Sequence, residues 1–180
     1  MEKTERDLRN LAWRVDRLEH LVVQVVCWAA AFLLVLGSLL AYIPAEDGSD
    51  ADDDLPRLLT TAFKSFGYRD DDGNANGFSI TLGIGFLGLM IVAAITLWLL
   101  VLIAADEVTE RTPRVLRIAL ILLVIGTCVA GILVLVALGS DEADVGPGLP
   151  VFAAGVAASL TLFAPGLRGW WVPALRPERP

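Results

Sequence analysis

Between Phe78 and Ala105 the chain runs for 28 residues without one ionisable side chain. As an α-helix that stretch would reach about 42 Å, more than the roughly 30 Å hydrocarbon core of a bilayer. Three further apolar runs accompany it: Leu21–Ile43, Ile118–Leu138 and Leu149–Leu167. A soluble domain of 180 residues has too small an interior to bury four such segments. Composition agrees, with 56% hydrophobic and 19% charged residues, where globular domains carry about a quarter charged. These values exclude a conventional soluble enzyme, a nucleic-acid-binding module and a disordered chain. The expected fold is an all-α integral membrane protein, a bundle of four transmembrane helices. The fourth run is the shortest, at 19 residues with Pro165-Gly166 near its end. Trp170 and Trp171 just beyond it are expected to anchor it at the interface.

Basic residues set the expected orientation. Segments 1–20, 106–117 and 168–180 hold 11 of the 14 lysines and arginines. The remaining loops, 44–77 and 139–148, hold three basic and twelve acidic side chains, a net −9. Positive segments stay cytoplasmic, so both termini are expected inside, with the protein multi-pass in a plasma (inner) membrane. The first apolar run, 23 residues, is longer than a secretory h-region and is expected to remain in the mature chain. Abundant Ala, Leu, Gly, Asp and Arg beside only two lysines fits a GC-rich bacterial genome.

Residues 1–20 read as a helix with an unbroken heptad. Leu8, Leu11, Val15, Leu18, Val22 and Val25 advance in steps of three and four. Branched residues at a (Val15, Val22) with leucine at d (Leu11, Leu18) favour two parallel strands. Arg14 then falls at g and Glu19 at the following e, an attractive pair across such a dimer. The competing reading is an amphipathic helix lying on the inner leaflet or on the protein's own cytoplasmic loop. The seam runs on into the first span, so one helix from Thr4 to Ile43 is expected.

In the loop 44–77, Asp53 or Asp54 with Pro56 and Gly67 bound a short helix over 55–66. Its apolar positions Leu55, Leu58, Leu59, Phe63 and Phe66 are expected on one face, covering the outer leaflet or the bundle. Next come Asp72, Asn74 and Asn76 before Gly77, the first half of a calcium loop, with Asp70 nearby. Position 12 of that pattern is Gly83 where a bidentate Glu is required, so an acidic Asn/Gly turn is the preferred reading. The acidic stretches Gly48–Asp52 and Gly139–Asp144 resemble one another, a hint of two fused hairpins.

Gly83, Gly85 and Gly88 spell GxGxxG, but inside a lipid-spanning run rather than at a strand–helix junction. Helix packing is the physical reading, because small residues let backbones approach where lipid supplies no hydrophobic drive. Gly126, Ala130 and Gly131 in the third run, and Ala154, Gly155 and Ala158 in the fourth, extend the pattern. Cys27 and Cys128 sit in apolar runs without metal-ligand spacing, and His20 stands without a ligand set. No ionisable side chain lies in the middle of any run, which disfavours proton-coupled transport. No HExxH, GxSxG or P-loop occurs, so no enzyme activity, cofactor or metal is expected.

The leading functional expectation is a non-enzymatic accessory or scaffold subunit that assembles with itself or joins a larger membrane complex. The alternative is a homo-oligomeric channel whose acidic outer face attracts cations. A third is a sensor whose outer loop signals through the first helix. The expected partners are the lipid bilayer and other membrane subunits, not nucleic acid.

Overall fold

The computed structural model describes residues 2–40, 77–137 and 146–172, together with Leu58 and Phe63. Among the described residues it is all-helical, with no strand. Helix α1 is Glu2–Leu39, α2 Gly77–Ala104, α3 Thr112–Ala137, α4 Gly148–Thr161 and α5 Pro165–Trp171. The repeated acidic stretches lie outside the described residues.

Three helices are long and apolar enough to cross a membrane. Their spanning portions are Arg17–Leu39, Gly83–Ala104 and Thr112–Leu133, with mean hydropathies of 2.3, 2.8 and 2.5. The fourth expected run behaves differently. It forms α4 and α5, which turn by 72° at a short break and reach spanning length only as a pair. Alone, the 14 residues of α4 extend about 21 Å.

The cause of the break is Pro165. A proline pushes the residue before it out of the helical region, and Ala164 is extended at φ −58°, ψ 140°. The turn before it tightens, with the amides of Leu162, Phe163 and Ala164 each bonding three residues back. A continuous helix would offer the Leu162 carbonyl to the Gly166 amide. Here the Trp171 indole Nε1–H donates to it instead, at 2.9 Å. Trp171 also stands edge-on to Phe163, ring centres 5.7 Å apart, and is only 2% exposed. The tryptophan expected to anchor at the interface is thus buried and ties the corner; its neighbour Trp170 is half-buried against the core.

Helix α1 is one uninterrupted element of 38 residues, about 57 Å long. Its late turns lie against the early turns of α4, the most extensive helix contact in the molecule. Two glycines make that contact close. A Cβ on Gly37 would fall 2.7 Å from the Phe152 Cβ, and one on Gly155 2.8 Å from the Leu34 backbone nitrogen. The middle of α1 meets the end of α2, where the Gln24 amide donates to the Ala104 carbonyl at 2.9 Å. That carbonyl belongs to the last turn of α2 and has no partner within its own helix.

The connection from α2 to α3 is short. Asp106 takes a left-handed conformation (φ 60°), and the Glu107 amide closes back on the Leu102 carbonyl at 2.9 Å, a Schellman-type ending. Thr112 and Pro113 open α3, but the Thr112 hydroxyl does not cap the helix. It accepts the Thr109 amide at 3.0 Å and fastens the turn. Late α3 meets early α4 at Gly131 and Leu149, and α4 closes the ring on α1. The core inside includes Cys27, Ala30, Leu34, Leu100, Ile103, Leu120, Leu123 and Phe152. Neighbouring helices in the ring are antiparallel, so Arg14 and Arg17 share one end of the molecule with Arg111, Arg114 and Arg117.

Two substitutions test this packing. Gly155→Ala places a methyl against the α1 backbone and should lower stability by about 1–3 kcal/mol. Gly85→Ala, mid-helix with nothing within 4 Å, should raise it by about 0.5–1 kcal/mol; thermal melts in detergent compare the two. Trp171→Phe keeps a ring but removes the donor to Leu162, which should cost about 0.5–1.5 kcal/mol in the same assay.

Candidate functional site

Helix α1 carries two apolar faces. One holds Val23, Cys27, Ala30, Leu34 and Gly37, all buried against the other helices. The other holds Leu11, Val15, Leu18, Val22 and Val25, then Phe32 and Leu39, all exposed. At 100° per residue the two sets centre roughly 140° apart, on nearly opposite sides of the helix. The outward set keeps the three-and-four spacing of a coiled-coil seam along the whole helix, with Ala29 exposed and Leu36 half-buried at the intervening positions.

The first positions of this seam, Leu11 and Val15, precede the apolar span. The spanning portion of α1 begins at Arg17. Fifteen helical residues precede it, about 22 Å of helix. No glycine or proline occurs in α1 before Gly37, and no break interrupts it. Sharp kinks usually need such a cause, and this extension continues the same helix as the span. Leu11, Val15 and Leu18 are nevertheless 57%, 51% and 60% exposed. Among the described residues, nothing in the chain covers them. Arg14 is exposed beside the seam and Glu19 half-buried; Leu8 belongs to the same helix.

The small residues divide between two roles. Gly83, Ala130 and Gly155 are buried in helix contacts, and a Cβ on Gly126 would meet the Leu89 side chain at 2.6 Å. Gly131 faces Leu149, with 3.6 Å from its would-be Cβ to that side chain, and Ala158 is half-buried against the core. Gly85, Gly88 and Ala154 are exposed. Gly85 and Gly126 together open an apolar groove of about 390 Å³ between α2 and α3, walled by Phe86, Leu89, Val129 and Leu133. Gly37, the closest approach among the described glycines, is not among the small-residue positions the sequence singles out, although Ala41 stands four residues after it. The signal was present as a run of small residues, Cys27, Ala30, Ala31 and Gly37, around Leu34.

Of the other candidates, Asp70, Asp72, Asn74 and Asn76 lie outside the described residues, as do Leu55, Leu59 and Phe66. Leu58 is helical and only 1% exposed, part of the core, whereas helical Phe63 is 60% exposed. The two residues expected on one face thus differ in burial. Among the described residues no cluster of metal-ligating side chains occurs. Cys27 is buried and Cys128 exposed, both free thiols. Thr96, Thr127 and Ser159 satisfy their hydroxyls on carbonyls four residues back, at 2.7–2.9 Å.

Neither family models, curated proteins nor solved structures provide a match to this chain.

The two faces of α1 should respond differently to truncation. Leu34→Ala, in the buried face, should destabilise the protein by about 2–5 kcal/mol. Leu11→Ala and Leu18→Ala, in the exposed face, should each change the isolated subunit by less than about 0.5 kcal/mol. Chemical unfolding in mild detergent, followed by circular dichroism, separates the two cases.

Proposed function

We propose that the chain is a non-enzymatic, multi-pass accessory or scaffold subunit of a membrane assembly, holding its partner on the outward face of α1. The observation that carries this reading is the exposed seam that begins at Leu11 and Val15, ahead of the spanning portion of its helix, and continues into that portion through Leu18 and Val22. Contiguous apolar surface of this kind in water marks an interaction site. A face repeating in steps of three and four suits a second helix better than a small molecule or a loop.

In this reading the bent α4–α5 pair completes a fourth crossing, α5 turning into the inner interfacial layer with Arg168 exposed on it. Both chain ends then lie on the cytoplasmic side of a plasma membrane. Support comes from the arginines of α1 and of the α2–α3 turn, which share one end of the ring, as positively charged cytoplasmic segments do. The α1 extension would project into the cytoplasm, where its partner would be met.

The test is extraction of the tagged protein from its native membrane in mild detergent, followed by intact-complex mass and subunit identification. A complex larger than one chain, lost on Leu11→Asp with Leu18→Asp while helicity is kept, is the expected result. A monomeric mass for the unaltered protein, with no co-purifying subunit, would overturn the reading.

A further inference from the structure

The outward face of α1 also constrains which partner it takes. We infer that it is covered by the same face of a second copy, the two α1 helices running parallel and in register from Leu11 towards Leu39. This deepens the scaffold reading and rests on it.

Direction comes first. Copies inserted in one membrane by the same rules share an orientation, so two α1 helices can meet only in parallel. The residues suit that arrangement. Val15 and Val22 occupy a and Leu11, Leu18 and Val25 occupy d, a pattern with branched side chains at a that favours two parallel strands. A symmetric pair needs one self-complementary patch, and a continuous seam on a single straight helix is such a patch.

Charge sets the register. In the paired helices, exposed Arg14 at g faces Glu19 at e of the second copy, and two-fold symmetry makes the contact twice. Sliding one helix by a heptad brings Arg14 opposite Ala12 or Val26 and removes both contacts. The other g and e positions along the shared length, Asp7 with Ala12, Leu21 with Val26 and Trp28 with Leu33, place no like charges together.

Length would otherwise count against the pairing, since fewer than three heptads stand beyond the span. The seam does not stop there. Phe32 and Leu39 continue it, exposed, through the spanning portion. A straight α-helix drifts about 20° per heptad from such a seam, so the two helices must wrap into a left-handed supercoil to keep it closed. Anchoring in one membrane also raises the local concentration of copies and offsets the short extension.

The experiment uses the full-length chain in its native membrane. Cys128 is replaced by serine and the buried Cys27 is kept. Single cysteines are then introduced as Leu11→Cys, Val15→Cys, Leu18→Cys and Val22→Cys on the seam, with Arg17→Cys and His20→Cys as off-seam controls. After mild oxidation, cross-linked dimer should peak at the four seam positions, several-fold above the controls. Arg14→Glu should weaken cross-linking through Leu18→Cys, and adding Glu19→Arg should restore it. A flat profile, or a maximum at the controls, would overturn the homodimer. Absence of seam cross-links beside a stoichiometric second protein in the native complex would overturn it too, while leaving the scaffold reading standing. A monomer without partner would remove both.

Discussion

The backbone contact between α1 and α4 is what the rest of the bundle leans on. Gly37 and Gly155 bring the two helices to a separation that a single added methyl would breach. In lipid, apolar side chains gain nothing by hiding from their surroundings, so dispersion across close backbones carries more of the association. Closing this contact closes the ring, because α2 and α3 are already joined by a short turn and α3 reaches α4. It also orients α1: pressing one face into the ring leaves the opposite face outward along the entire helix.

A second constraint is that backbone polar groups away from water need partners. The structure meets it at each place where a helix is interrupted. Gln24 reaches from α1 to a terminal carbonyl of α2. The Trp171 indole takes the Leu162 carbonyl that Pro165 frees. Asp106, in its left-handed conformation, lets the end of α2 fold back on its own carbonyls. Each of these groups completes a helix end. Polar residues inside the bundle therefore read as carpentry, and the surface that remains to be explained is apolar.

The sequence made the helices legible because bilayer-length apolar runs leave little choice of secondary structure. It also exposed the seam, since a three-and-four spacing over Leu11, Val15 and Leu18 survives any choice of neighbour. It was less informative about contacts. Gly85 and Gly88 have the spelling of a packing motif but are exposed, whereas Gly37, in a Gly-x-x-x-Ala pair with Ala41, makes the tightest approach among the described glycines. Periodicity says which residues share a face; which face turns inward depends on the other three helices. Pro165 announced a disturbance near the end of the fourth run, yet its consequence, a 72° corner held by Trp171, depends on an indole nine residues from the carbonyl it binds. The same limit applies to Leu58 and Phe63, both apolar, of which one is in the core and the other exposed.

The brevity of α4 has a consequence for the surrounding lipid. Three sides of the ring offer helices of full bilayer length, while the fourth offers about 21 Å before the chain turns aside. Were the bent pair to cross the membrane as proposed, lipid beside that wall would thin to match it, at a cost of fractions of a kcal/mol per ångström of mismatch. A protein so arranged would be a lopsided wedge, most comfortable where the bilayer is thin or where another short-walled protein shares the deformation. Membrane thickness would then bias where it resides and which way its α4 side turns, independently of any contact made by α1.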